Sequence, residues 1–121
     1  MSDQAQELRI ALVLSELRPG GMERVVIHLA QGLASRSIPT LVVCLQSKGT
    51  LAPEFADINV ELVALGSLSG KDFGAIWRLR KVLQRFKPSI INIHDYSSAP
   101  YAIAANWLSS KAPVQFTAHG L

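Results

Sequence analysis

Two of the chain's three histidines, His94 and His119, end the short runs SIINIH (89–94) and VQFTAH (114–119). A neutral imidazole donates a hydrogen bond from one nitrogen and accepts one at the other, so it can grip a hydroxyl group from either side. A third feature is Arg18-Pro19-Gly20-Gly21, between the run RIALVLS (9–15) and a stretch of helical periodicity. A helix start leaves backbone N–H groups bare at the positive end of the macrodipole. Without Cβ atoms, Gly20 and Gly21 let that backbone come close to a phosphate. The other reading is a plain Pro-Gly-Gly turn.

For these three features to act together, the elements carrying them must end at one place. RIALVLS reads as a strand buried on both faces. From Gly21 to Arg36 the spacing of Met22, Val25, Val26, Leu29 and Leu33 is helical. TLVVCL (40–45) and VELVAL (60–65) are the second and third strands, and the segment 47–59 between them holds at most one helical turn. Asp72 is the expected N-cap of a helix running to about Phe86, stopped before Pro88. SIINIH is the fourth strand, Ser97 to Ser110 an Ala-rich helix, and VQFTAH the fifth strand. Buried strands alternating with helices predict an α/β fold: a doubly wound, Rossmann-like parallel sheet with right-handed crossovers. The expected strand order is 3-2-1-4-5. Ligands bind beyond the carboxyl ends of such strands where the order reverses, here between strands 1 and 4. That rim receives Glu16 to Gly21, His94-Asp95-Tyr96 and His119-Gly120.

Composition narrows the class. With 121 residues, 49% of them hydrophobic and 17% charged, the chain is one filled domain rather than a disordered segment. A net charge of +3 is too mild to indicate nucleic-acid binding, and none is expected. Cys44 is single, so there is no disulfide framework, and a reducing compartment fits. Met1 to Arg9 carries no signal-peptide core, and no run reaches the roughly 18 apolar residues of a membrane span. The expected location is cytoplasmic, with a peripheral place at the inner face of the membrane kept open.

Several doubly wound families are excluded by what is missing. A dinucleotide fold needs Gly-x-Gly-x-x-Gly after the first strand and an acid ending the second; here stand Pro19-Gly20-Gly21-Met22 and Cys44-Leu45-Gln46. Gly21-Met22-Glu23 does not open a P-loop helix, and no Gly-x-Ser-x-Gly elbow is present. Leu65-Gly66 and His119-Gly120 replace the Asp and Lys of a response-regulator receiver.

What remains resembles a known family. Gly20-Gly21-Met22-Glu23-Arg24-Val25-Val26, followed by Leu29-Ala30-Gln31-Gly32-Leu33-Ala34, is similar to the opening of the N-terminal domain of a family 4 glycosyltransferase with the GT-B fold. Ile90-Ile91-Asn92-Ile93-His94 and Pro113-Val114-Gln115-Phe116-Thr117-Ala118-His119-Gly120 resemble that family's fourth and fifth strands. Ser37-Ile38 departs from the pattern, where the family carries Gly then His. The resemblance implies that residues 1–121 are the acceptor-side half-domain, incomplete at its C-terminal end. A C-terminal donor-binding domain of the same chain would complete it. The implied activity is transfer of a sugar from a nucleotide-diphosphate donor to a hydroxyl acceptor (a polysaccharide, lipopolysaccharide or lipid-linked glycan), with retention. It implies His119 beside the reacting sugar as the catalytic residue, Gly20 and Gly21 on the donor phosphates, and His94, Asp95 and Tyr96 on the acceptor. No cofactor is implied beyond the sugar nucleotide as co-substrate, and no metal. The alternative is a stand-alone flavodoxin-like module that binds an anion or a partner without catalysis.

Other residues carry blander expectations. Glu23 is read as a favourable charge at a helix start, Arg24 as solvated, His28 as structural or solvated, and Asp95 as a helix cap before an acceptor-side base. Arg78, Lys81 and Arg85 share one helix face opposite Phe73, Ile76, Leu79, Leu83 and Phe86, with Trp77 at the boundary. That face is read first as solvated, and second as a contact for anionic lipid headgroups through Trp77, Arg78, Lys81 and Arg85.

Overall fold

The computed structural model describes residues 7–17, 21–49, 52–55, 58–67 and 72–117. The strands are β1 (Ile10–Leu14), β2 (Thr40–Cys44), β3 (Glu61–Ala64), β4 (Ile90–Ile93) and β5 (Val114–Phe116). The helices are α1 (Gly21–Ser35), α2 (Gly74–Phe86) and α3 (Ala99–Trp107), with a 3-10 turn over Ala52–Phe55. The strands form one sheet in the order β3-β2-β1-β4-β5, as expected, and every neighbouring pair is parallel.

Alternation along the strands sorts side chains into two cores. Ala11, Val13, Leu41, Val43, Ile91 and Ile93 pack with Leu79, Leu83 and Phe86 of α2 and with Ala102 and Ala105 of α3. Leu12, Leu14, Val42 and Cys44 face the other way, onto Val26, Ile27 and Ala30 of α1 and onto Phe55. β2 is buried along its whole length, so TLVVC has no polar face to alternate with. The crossovers place α1 on one face and α2 and α3 on the other.

Three local expectations are corrected. The buried stripe of α1 is Val26, Ile27 and Ala30, while Val25 and Leu29 are exposed. α1 is apolar around more than half its girth, so spacing alone left its phase open. The N-cap of α2 is Phe73 rather than Asp72, whose carboxylate instead pairs with Arg78 at 3.0 Å. Phe73 thus precedes the helix and leaves the core stripe, at 65% exposed.

Ser37 closes α1 at φ 59°, in the left-handed region that favours glycine. The Ile38 N–H returns to Leu33 O at 3.0 Å and the Ser37 N–H to Ala34 O at 3.0 Å, so the closing turn forms despite the Cβ.

Candidate functional site

β1 and β4 are neighbours with Ile10 beside Ile90 and Val13 beside Ile93, so their carboxyl ends emerge side by side at the point where strand order reverses. The chain leaving β4 is fastened to the chain leaving β1. The His94 N–H donates to Val13 O at 2.9 Å. The Ser15 N–H donates to Asp95 Oδ2 at 2.8 Å. The other carboxylate oxygen, Asp95 Oδ1, accepts from the Ser98 N–H at 2.9 Å and from Ser97 Oγ at 3.4 Å. Ser15 Oγ and Ser97 Oγ lie 2.5 Å apart.

Asp95 therefore binds both sides of the reversal point. Toward Ser98 it acts as a cap for the turn that runs into α3, accepting from the N–H three residues on. Toward Ser15 it reaches across the sheet. The N-cap position of α3 itself is Ser98, so Asp95 closes the turn ahead of the helix rather than capping the helix.

The other expected acceptor residues separate. His94 is 2% exposed and belongs to the interior. Tyr96 points outward, 78% exposed, with its ring 4.8 Å from that of Phe116 on β5. β5 is tied to β4 by the Thr117 N–H donating to Ile93 O at 2.9 Å and by Asn92 Nδ2, which donates to Thr117 Oγ1 at 2.9 Å and to Gln115 O at 3.2 Å. The end of β5 thus lies beside His94-Asp95-Tyr96. Gly21 is the first residue of α1. Gly20 and His119 lie outside the described residues.

Sequence reasoning missed two supports of this rim. One is Ser15, legible only once β1 and β4 are known to be adjacent. The other is Gly49, at φ +79°, where a Cβ would stand 2.1 Å from the carbonyl oxygen of Leu17. Leu17 also donates its N–H to Lys48 O at 3.3 Å, and a hydrogen bond joins the Ser47 hydroxyl to the Glu16 carboxylate. The loop after β2 is therefore a backstop for the segment that leads from β1 toward Gly20-Gly21. Only glycine allows that approach. The sequence signal was the pair Lys48-Gly49 just past a strand end.

The remaining charged residues near α1 are structural or solvated. Glu23 in its first turn is nearly buried. Arg24 forms a 2.8 Å ion pair with Glu54 of the 3-10 turn, and His28 is exposed. Cys44 is buried at the end of β2, and burial pushes its thiol from the ordinary 9.0 up to about 12. Among the described residues no group of three or more His, Cys, Asp and Glu could hold a metal ion, and no helix is long and apolar enough to cross a membrane.

A depression of ≈ 550 Å³ lies at the opposite rim, where the strands begin, lined by Arg9, Lys87, Ser89, Lys111 and Pro113 among others. It is remote from the reversal point and takes nothing from the loops after β1, β4 or β5.

Comparison with known proteins adds one finding. A family model described as Glycosyltransferase Family 4 matches residues 19–121. No curated protein and no solved structure matches the chain.

Proposed function

The chain belongs to glycosyltransferase family 4 and its function is of the glycosyltransferase type; from that premise we propose that it is the acceptor-side domain of a retaining enzyme that uses a nucleotide-diphosphate sugar. The observation that carries the proposal is the match across residues 19–121, which begins just before Gly20-Gly21 and takes in both His94 and His119. The fastening of Ser15 to Asp95 supports it, because it sets the exits of β1 and β4 side by side.

In this reading the Gly20 and Gly21 amides meet the diphosphate of the donor. The bond from the anomeric carbon to the diphosphate oxygen breaks, and its electron pair leaves with the diphosphate. The acceptor hydroxyl oxygen forms the new bond on the same face of the sugar and passes its proton to the departing diphosphate oxygen. Catalysis rests on stabilising charge on the leaving group and on positioning, with no protein nucleophile required. His119 hydrogen-bonds the reacting sugar, and Tyr96, the exposed member of its group, offers the acceptor a ring and a hydroxyl. His94 and Asp95 hold that wall in place. A C-terminal domain of the same chain supplies the donor pocket.

The test is a transfer assay with labelled sugar nucleotides, run on the 121-residue chain and on the longer reading frame that the proposal requires. Transfer by the long form alone, reduced about 100-fold by His119→Ala, is expected. Transfer by the 121-residue chain alone, or full activity in the variant, overturns the proposal. Binding of an anion at the Gly20-Gly21 turn with no transfer by either form would instead support the non-catalytic module.

A further inference from the structure

The outer layer built by α2 and α3 carries a repeated column of side chains. Down α2 run Phe73, Trp77 and Lys81; down and just past α3 run Ile103, Trp107 and Lys111. The four-residue spacing keeps Phe73, Trp77 and Lys81 on one side of α2 and Ile103 and Trp107 on one side of α3, and Lys111, past the end of α3, returns to the Trp107 ring. That side is opposite the buried residues Ala75, Leu79 and Leu83 of α2 and Ala102 and Ala105 of α3. The two helices run in the same direction on the same face of the sheet, as crossovers into parallel strands require, so the columns align: apolar, tryptophan, lysine.

The surface is exposed and continuous. Trp107 is 71% exposed, Trp77 55% and Ile103 53%. Arg80 joins the columns, its guanidinium 5.8 Å from the Trp77 ring and its Nε donating to Leu108 O at 3.3 Å. Lys111 Nζ stands 6.0 Å from the Trp107 ring. Arg78 and Arg85, which the sequence offered as lipid contacts, turn instead toward the β3 side of α2, in ion pairs with Asp72 and Glu61. Trp77 and Lys81 remain on the outer face.

Charge is divided unevenly along the chain. Residues 73–117 hold six of the twelve Lys and Arg but only one of the nine Asp and Glu, a balance of +5 that leaves −2 for the rest. The single acid is Asp95, committed to Ser15 and Ser98 at the strand-end rim. The α2 and α3 segments contain no acid at all.

We propose that this two-tryptophan face docks on a bilayer surface bearing anionic headgroups, with the indoles at the interface and Lys81, Arg80 and Lys111 among the headgroups. A second copy of the chain fits poorly, because it would set Arg80, Lys81 and Lys111 against the same three cations with no acid on either helix to offset them. The proposal does not depend on the sugar-transfer reading.

The chain has two tryptophans and both lie here, so tryptophan emission, excited selectively over the two tyrosines, reports this face alone. The experiment titrates the 121-residue chain with vesicles of phosphatidylcholine, with and without phosphatidylglycerol. A blue shift and quenching by brominated lipid are expected on the anionic vesicles only. The double variant Lys81→Gln, Lys111→Gln should bind them roughly 30-fold more weakly, about fivefold for each charge lost. Vesicle co-sedimentation of Trp77→Ser, Trp107→Ser, with circular dichroism checking the fold, should show loss of binding. The proposal fails if binding is absent, if neutral vesicles bind equally, or if either double variant, folded, binds as the parent does. A concentration-dependent blue shift without lipid, matched by dimerisation in sedimentation, would assign the face to a second copy and also overturn it.

Discussion

Removing the Asp95 carboxylate should release the exit of β1 from the entrance to α3. The side chain takes the Ser15 N–H at 2.8 Å on one oxygen and the Ser98 N–H at 2.9 Å on the other. Hydrogen bonds to a charged group contribute about 1.5–3 kcal/mol each, and loss of a cap costs about 1 kcal/mol. Ser15 is only partly buried, so water recovers part of the loss there in Asp95→Ala, whereas Ser98 is fully buried and its N–H is left without that relief. The expected destabilisation is about 2–4 kcal/mol. Asp95→Asn keeps one acceptor oxygen for Ser98 but turns an NH₂ toward the Ser15 N–H, and should lose about 1–2 kcal/mol. Urea unfolding followed by circular dichroism gives both values from the midpoint at constant slope. Amide exchange should accelerate at Ser15 and Ser98 before it does in the cores of β1 and β2. Ser97→Ala loses the 3.4 Å contact with Asp95 and the exposed hydrogen bond to Ser15 Oγ, and should cost less than Asp95→Ala, about 0.5–1.5 kcal/mol. An Asp95→Ala variant as stable as the parent would refute the reasoning, since the clamp would then contribute nothing.

Gly49→Ala should cost about 2–5 kcal/mol, combining a left-handed backbone with a Cβ 2.1 Å from Leu17 O, and its amide shifts should spread into Leu17 and beyond; a neutral variant contradicts the packing described. Ser37→Gly should stabilise the chain by about 0.5–1 kcal/mol, raising the melting temperature a few degrees, because the residue sits at φ 59°. Burial raises the Cys44 thiol from 9.0 to about 12, so the folded state holds its proton where the unfolded state loses it. Stability from this group is intact below about pH 9 and falls by about 1.4 kcal/mol per pH unit from there toward 12, a slope that Cys44→Ala should abolish in urea titrations across that range.

The sheet was legible because β1, β2 and β4 are nearly continuous apolar runs, each separated from the next by a helical pattern or a turn, and the right-handed crossover rule then leaves few orders. Helix phase was less legible. α1 offers Val25, Val26, Ile27, Leu29 and Ala30 in close succession, and only the position of β1 and β2 decides that Val26, Ile27 and Ala30 turn inward. The start of α2 misled because Asp72 is a good capping type, yet Arg78 one and a half turns on captures its carboxylate. At the candidate site, His94-Asp95-Tyr96 was found as a group, but its division into a buried imidazole, a clamping carboxylate and an outward ring depends on the neighbouring strand. Gly49 escaped notice because the need for glycine there comes from Leu17, more than thirty residues earlier, and no local pattern records it. The Phe73-Trp77-Lys81 and Ile103-Trp107-Lys111 columns were each present in the sequence; only the packing of α2 beside α3 makes them one surface.

The account stands on the strand ends at the β1/β4 reversal forming the place where a diphosphate is received. The direct measurement is an amide-shift titration of the isotope-labelled chain with inorganic pyrophosphate. Shifts should centre on Gly20 and Gly21 and extend to Ser15 and His94-Asp95. Shifts confined to the opposite rim, at Arg9, Lys87 and Lys111, or none at all at millimolar pyrophosphate, would contradict it.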